Sequence, residues 1–285
     1  MTERGAEPRP VEPGAAARSM GPGVLHAATA ASRFTLTRHL PPAALAPFLD
    51  YCWVVRWDLR GQPGYESAVL PHPNVNLAFE PVGAGIFGVD ESVFTRRLEG
   101  AGKALGVRFR PGGFHPFYRA SMARLTGRVI PAREVLGPQA DDACDAVLAD
   151  GADDAAMVAA AEGLLLSFGA QPDPVALAAA RIVERITADA GLRRVAALAE
   201  ACGLPERRLQ RMFTEYVGVS PKWVMRRARL LEAARRIDAG DVVDWAVLAA
   251  DLGYSDQAHL TRDFTSTLGT SPARYAARAK PAEGS

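Results

Sequence analysis

LQRMFTEYVGVSP at residues 209–221 and LTRDFTSTLGTSP at residues 260–272 are two versions of one pattern, L-x-R-x-F-T-x-x-x-G-x-S-P. Seven of thirteen positions agree at an offset of 51: Leu209/Leu260, Arg211/Arg262, Phe213/Phe264, Thr214/Thr265, Gly218/Gly269, Ser220/Ser271 and Pro221/Pro272. Composition does not produce such agreement; a duplicated structural unit does. Upstream, Leu198-Ala199 and Gly203 match Leu248-Ala249 and Gly253 at an offset of 50. In the first unit Val195, Leu198, Ala199 and Cys202 fall on one helical stripe, and apolar residues at that interval bury one face of a helix. Gly203 then ends that helix, because glycine takes the left-handed conformation without a side-chain penalty. A second helix is expected over 205–217, its inner face formed by Leu209, Met212, Phe213 and Tyr216. The second unit repeats the plan with Trp245, Leu248, Ala249 and Leu252, then Gly253, then Ser255 as the cap of a helix to about Leu268. Each unit therefore has the anatomy of a helix-turn-helix, whose second helix enters the DNA major groove.

The polar faces fit that reading. Residues 205–217 present Glu206, Arg207, Arg208, Gln210, Arg211 and Thr214, and residues 256–268 present Asp256, Gln257, His259, Thr261 and Arg262. Arg pairs bidentately with guanine and Gln with adenine, so the side chains suit base edges. KWVMRRARLLEAARRID at 222–238 predicts a connecting helix. It is roughly 25 Å long, of the order of the 34 Å between successive major grooves. Residues 193–236 hold 11 basic and 4 acidic groups, the kind of local excess that binds phosphates. The whole chain conceals it, with 33 basic and 32 acidic residues among 285. Only Lys103, Lys222 and Lys280 are lysines, so Arg enrichment is chain-wide and no single Arg is informative by type alone.

On these stretches the chain resembles the AraC/XylS family of bacterial transcription regulators. The carrying residues are 195–203, LQRMF (209–213), GVSPKWV (218–224), RARLLEAARRI (227–237) and GYSDQAHLTRDFTSTLGTSPARY (253–275). The resemblance covers about the last third of the chain and implies an all-α domain of seven helices with two helix-turn-helix motifs. By position it assigns base reading to Arg207, Gln210 and Arg211 in the first motif and to Gln257, Thr261 and Arg262 in the second. Phosphate contacts are expected from Arg194, Lys222, Arg226, Arg227 and Arg274. Three positions depart from the family pattern: Pro205 replaces a Ser cap, Leu260 a Phe, and Ala276 an Arg.

The first half has another texture. Short runs at 51–59, 75–80, 85–89 and 104–110 are rich in β-branched and aromatic residues and broken by Gly and Pro, which predicts a mainly-β barrel or sandwich over 32–138. YCWVVRW (51–57), VLPHPNVNLAF (69–79) and LGVRFRPGGF (105–114) resemble the uncharacterised N-terminal domain often joined to AraC-type regulators. That resemblance implies a module for effector sensing or subunit pairing and names no effector. Residues 1–31 read as a disordered tail, 139–168 as a helical connector offering a coupling or dimer surface, and GAQPDP (169–174) as a linker. The DNA-binding domain is expected over 175–278, followed by a short tail at 279–285. The fold class expected is therefore α+β, a β-rich half with trailing helices joined to an all-α domain.

Other chemistries find little support. Cys52, Cys144 and Cys202 are scattered and include no CxxC pair, against a disulfide scaffold or thiolate zinc site. His72, His115, Glu66 and Cys52 lack tight ligand spacing, so neither metal nor cofactor is expected. Ser67 and Ser121 sit in no G-x-S-x-G elbow. Trp53, Trp57, Phe79 and Phe109 are candidates to line an effector cavity. No segment has the length of a membrane span or the pattern of a secretory signal, so a cytoplasmic site is expected. The expectation is a non-enzymatic regulator of transcription binding double-stranded DNA. A small-molecule effector, RNA polymerase and a second copy of the chain are its candidate further partners. The alternative is a DNA-targeted enzyme or repair protein with a catalytic N-terminal domain.

Overall fold

The computed structural model describes residues 24–279 apart from 26, 91, 190 and 240–243. The first half is built on strands β1 (Phe34–His39), β2 (Leu49–Asp58), β3 (Tyr65–Val69), β4 (Asn76–Glu80), β5 (Gly83–Phe87), β6 (Phe94–Leu98), β7 (Ala101–Phe109) and β8 (Val129–Pro131). Six of them form one antiparallel sheet in the order β1-β2-β7-β4-β5-β8, and β3 and β6 pair separately as a two-stranded ribbon. All the pairings are antiparallel. The expected β-rich half is thus present, laid out as a sheet and a ribbon.

One face of the sheet is dry. Cys52, Val54, Leu77, Phe79, Ile86, Leu105, Val107 and Phe109 are buried beneath helices α4 (Gln139–Leu148) and α5 (Asp154–Leu166). Alternation along a strand sends neighbours to opposite faces. Trp53 and Trp57 therefore lie on the face away from Phe79 and Phe109, and these four residues do not share a cavity. Each Trp covers a glycine: a Cβ on Gly106 would come within 2.0 Å of the Trp53 ring, and one on Gly102 within 2.4 Å of Trp57. Burial pushes the Cys52 thiol up to about 12, with Glu162 adding to the effect, which removes it as a nucleophile. Leu164 and Leu165 at the end of α5 are buried in this same core. The helices at 139–168 are therefore the lid of the sheet.

The expected N-terminal tail extends in part beyond the described residues, but its end is ordered. Val24 bridges to Val69, and Ala27–Ala31 forms a short helix, α1, in which Ala30 is fully buried. Ala-rich sequence reads as featureless in isolation; here Phe34, Leu59 and Leu98 give it a surface to cover. The tail at 279–285 lies outside the described residues except for Ala279, which ends a helix.

After two short helices, α2 (His115–Tyr118) and α3 (Arg133–Leu136), and the pair α4 and α5, the second half is entirely helical. Its elements are α6 (Pro174–Ala188), α7 (Val195–Ala201), α8 (Glu206–Met212), α9 (Pro221–Asp238), α10 (Trp245–Asp251), α11 (Gln257–Leu268) and α12 (Pro272–Ala279). Two cores divide it: Leu198, Leu209 and Phe213 pack with α6 and the first half of α9, while Leu248, Leu260, Phe264 and Tyr275 pack with its second half. Each fully buried Phe contributes about 1.5–3 kcal/mol, so the connecting helix is the spine on which both motifs are mounted.

Candidate nucleic-acid interface

The repeat is a repeat of caps as well as of core. Ser220 and Ser271 each accept a hydrogen bond three residues on, from the Trp223 amide at 3.1 Å and the Arg274 amide at 3.3 Å. Pro follows both, at the first helical position where a missing N–H costs nothing. Gly203 and Gly253 sit at φ +64° and +74°, making the turn in each motif. The two recognition helices start differently. Asp256, not the expected Ser255, caps α11: its carboxylate accepts from the His259 amide at 2.7 Å, while Ser255 Oγ lies 3.1 Å from His259 Nδ1. Asp has the longer reach and adds a charge favoured by the helix dipole. Pro205 offers α8 no side-chain cap.

Arg207, Gln210 and Arg211 are exposed on α8, and Gln257 and Arg262 on α11; Thr261 is half-buried. Gln210 rests against Glu206 at 3.3 Å and Arg262 against the Ala258 carbonyl at 3.3 Å, local contacts that a base edge can replace. Beside α8 runs a groove of about 670 Å³ against α6, whose rim carries Arg181, Arg185, Arg208 and Arg211. Arg181 and Arg185 were not singled out in the sequence; only the packing of α6 against the first motif brings them beside Arg211.

Of the expected phosphate contacts, Arg194, Lys222 and Arg274 are exposed. Arg226 is partly committed: its guanidinium pairs with Asp263 and donates to Ser266 Oγ at 2.7 Å, both on α11. Tyr254 reaches the same carboxylate at 2.7 Å, and Arg229 lies 4.6 Å over the Tyr254 ring. This set fastens the second motif to α9. The Arg227 expectation is corrected outright. Its side chain is 6% exposed and donates to the Pro71 carbonyl and to His72 of the first half. Arg235 and Arg236 engage Glu232, holding its carboxyl at about 2. Arg226, Arg227, Arg235 and Arg236 thus have partners within the protein, which a count of charges along the chain does not reveal.

His72 is the centre of the junction between halves. Its Nδ1 accepts from Arg227 and, at 3.2 Å, from Arg108, which also reaches Asn74 at 2.9 Å and Asp50 at 3.3 Å. Burial and the two guanidiniums push its pKa well below the ordinary value, so the ring is neutral. His115 meets Glu215 at 3.3 Å and packs on Tyr216, ring centroids 4.3 Å apart. Ser121 Oγ donates to the Thr214 carbonyl at 3.1 Å and Thr126 Oγ1 to the Gly218 carbonyl at 2.8 Å. Glu66 lies on exposed surface of the ribbon, so the four residues weighed as metal ligands are scattered. Among the described residues no group of three or more His, Cys, Asp or Glu is placed to hold a metal, and no helix is long and apolar enough to cross a membrane.

Known proteins match each half separately. Residues 198–278 match the family described as a helix-turn-helix domain, and residues 37–131 the family described as "Domain of unknown function (DUF6597)". The HTH-type transcriptional activator RhaS of Pectobacterium carotovorum is 33% identical over 75 residues, 26% of this chain and 26% of that one. The probable transcription factor PqrA of Proteus vulgaris is 32% identical over 84 residues, 29% of this chain and 66% of that one. The match therefore spans about a quarter of one relative and just under two thirds of the other. Among solved structures, ToxT from Vibrio cholerae O395 is 10% identical with a TM-score of 0.38, covering 87% of this chain and 99% of that one. The C-terminal domain of AraT from Geobacillus stearothermophilus is 21% identical with a TM-score of 0.34, covering 40% and 92%. Residues 198–278 are thus an AraC-type helix-turn-helix domain, and residues 37–131, in the β-rich part, match the second family.

Proposed function

We propose that this chain is a cytoplasmic, non-enzymatic regulator of transcription that reads two successive major grooves of double-stranded DNA. The observation that carries the reading is the pair of recognition helices, α8 and α11, mounted on one spine. Each carries an exposed Arg and an exposed Gln at its reading face. At 18 residues α9 spans roughly 27 Å, short enough to span grooves one turn apart without a flexible joint. Arg207, Gln210 and Arg211 read one groove; Gln257, Thr261 and Arg262 read the next. Arg194, Lys222 and Arg274 supply the phosphate contacts, with Arg181 and Arg185 added on the flank of the first motif. The domain over 32–138 acts as the regulatory half, receiving an effector or pairing with a second copy, and RNA polymerase is the partner through which bound protein would act.

Selection from random-sequence duplexes by the full chain tests this. A defined motif should emerge, and Arg211→Ala should weaken binding to it by about 1–3 kcal/mol while relaxing one base position. An enriched pool with no motif, or a motif unchanged by Arg211→Ala, would contradict the base-reading assignment.

A further inference from the structure

The two copies of L-x-R-x-F-T-x-x-x-G-x-S-P end their recognition helices with different windings. In the second, residues Gln257–Leu268 are α-helical throughout, and the Gly269 amide closes the last turn on the Thr265 carbonyl at 2.9 Å. In the first, Phe213–Val217 is a π-helix, and the Gly218 amide reaches one residue further back, to the Phe213 carbonyl at 2.8 Å. Matching residues line the two turns at the conserved positions, with Phe213 and Phe264 both fully buried. What differs is the neighbour. Thr214 O, the counterpart of the Thr265 carbonyl that caps the second helix, is occupied at 3.1 Å by Ser121 Oγ of the first half. Thr126 Oγ1 holds the Gly218 carbonyl at 2.8 Å. A Cβ on Gly218 would stand 2.9 Å from Thr126 Oγ1 and 3.0 Å from the Met122 carbonyl, whereas one on Gly269 would meet nothing within 4 Å.

We propose that Ser121 and Thr126 are positioning residues that staple the end of the first recognition helix, holding its last turn in the π form so that docking of the N-terminal domain sets how this motif reads DNA. π turns inside α-helices are rare and concentrate at functional sites. This one lies between the reading residues Arg207, Gln210 and Arg211 and the connecting helix. One extra residue in that turn changes the register between the reading face and the spine. The end of the second recognition helix, where a Cβ on Gly269 would meet nothing within 4 Å, shows the winding that the shared pattern adopts without a neighbour at that turn. Releasing the staple returns the Gly218 amide to Thr214 O and brings the first motif into the geometry of the second, which is the reading-competent state. The inference rests on the DNA-reading function proposed above.

Both parts are testable on the full chain. The through-hydrogen-bond scalar coupling of the Gly218 amide nitrogen identifies its acceptor directly. It should fall on the Phe213 carbonyl carbon in the parent and on that of Thr214 in the Ser121→Ala/Thr126→Val double variant, two substitutions at half-buried positions that leave the core intact. Affinity for the duplex that the parent selects from a random pool should rise roughly fivefold or more in the double variant, the lower end of ordinary coupling between sites. A coupling that stays on Phe213 overturns the staple. A coupling that moves while affinity stays within about twofold overturns its regulatory meaning. A parent chain that selects no sequence overturns the DNA-reading function and the regulatory half of this inference with it, and the coupling still decides the winding.

Discussion

Arg227 shows what a residue's type does not tell. Its place on a basic helix beside Arg226 makes it a phosphate contact on paper, and the fold turns it inward against a domain 155 residues away in sequence. Arg227→Ala would leave the Pro71 carbonyl without this donor and the His72 ring with Arg108 alone, at about 1–3 kcal/mol. Denaturant unfolding of the full chain should show that loss, while the salt slope of DNA binding stays unchanged; a slope reduced by about one would restore the phosphate role. His72 gives the junction a pH dependence of definite sign. Its folded pKa is depressed by burial, then by Arg227 and Arg108, so below about 6.5 the unfolded chain takes up a proton that the folded one refuses. Stability from this group is complete above pH 6.5 and falls as pH drops, by up to about 1.4 kcal/mol per unit. Asp50, whose own pKa is raised by burial, pairs with Arg108 at 3.3 Å and brings a carboxylate to this cluster. In His72→Asn, whose Oδ1 can take the place of Nδ1, unfolding measured from pH 7.5 to 5.5 should lose that slope. An identical slope in both proteins would assign it to other groups.

At the scale of elements, the helices of the second half were legible because everything that defines them is local. Left-handed Gly turns and apolar stripes act within a few residues, so the five helices from α7 to α11 fall close to where spacing places them, whereas no spacing argument positions α6 or α12. The error at Ser255 is of the same kind: Ser255 and Asp256 are adjacent candidate caps, and only the backbone shows which one turns its side chain to His259. Asp256→Ala should cost about 1 kcal/mol and shift the thermal midpoint of the full chain, whereas Pro205→Ala, with no side-chain bond to lose, should cost about half as much. Equal losses would mean that the cap is not what holds the start of α11. The strands β1, β3, β6 and β8 escaped notice because short strands at sheet edges carry weak periodicity. The π turn at 213–217 was not legible at all, since its cause is a serine and a threonine some ninety residues away.

At the scale of the molecule, two halves that look independent in sequence are joined through few but specific groups. Leu25 and Leu70 enter the core of the second motif and Val89 that of the first. The junction therefore touches both motifs and their spine. The near-neutral total charge conceals a division: residues 172–285 hold 17 basic and 14 acidic groups, and residues 1–171 hold 16 and 18. The fold shows what charge and length do not: the β-rich half grips the helical half at the end of its first recognition helix. We propose that both motifs engage DNA at once from one spine, α9. Hydroxyl-radical footprinting of the full chain on its selected duplex tests it most directly. Two protected tracts should appear on one face of the DNA, separated by about one helical turn of 10–10.5 base pairs, with Arg211→Ala weakening one and Arg262→Ala the other. A single tract, or a pair that both substitutions weaken alike, would contradict it.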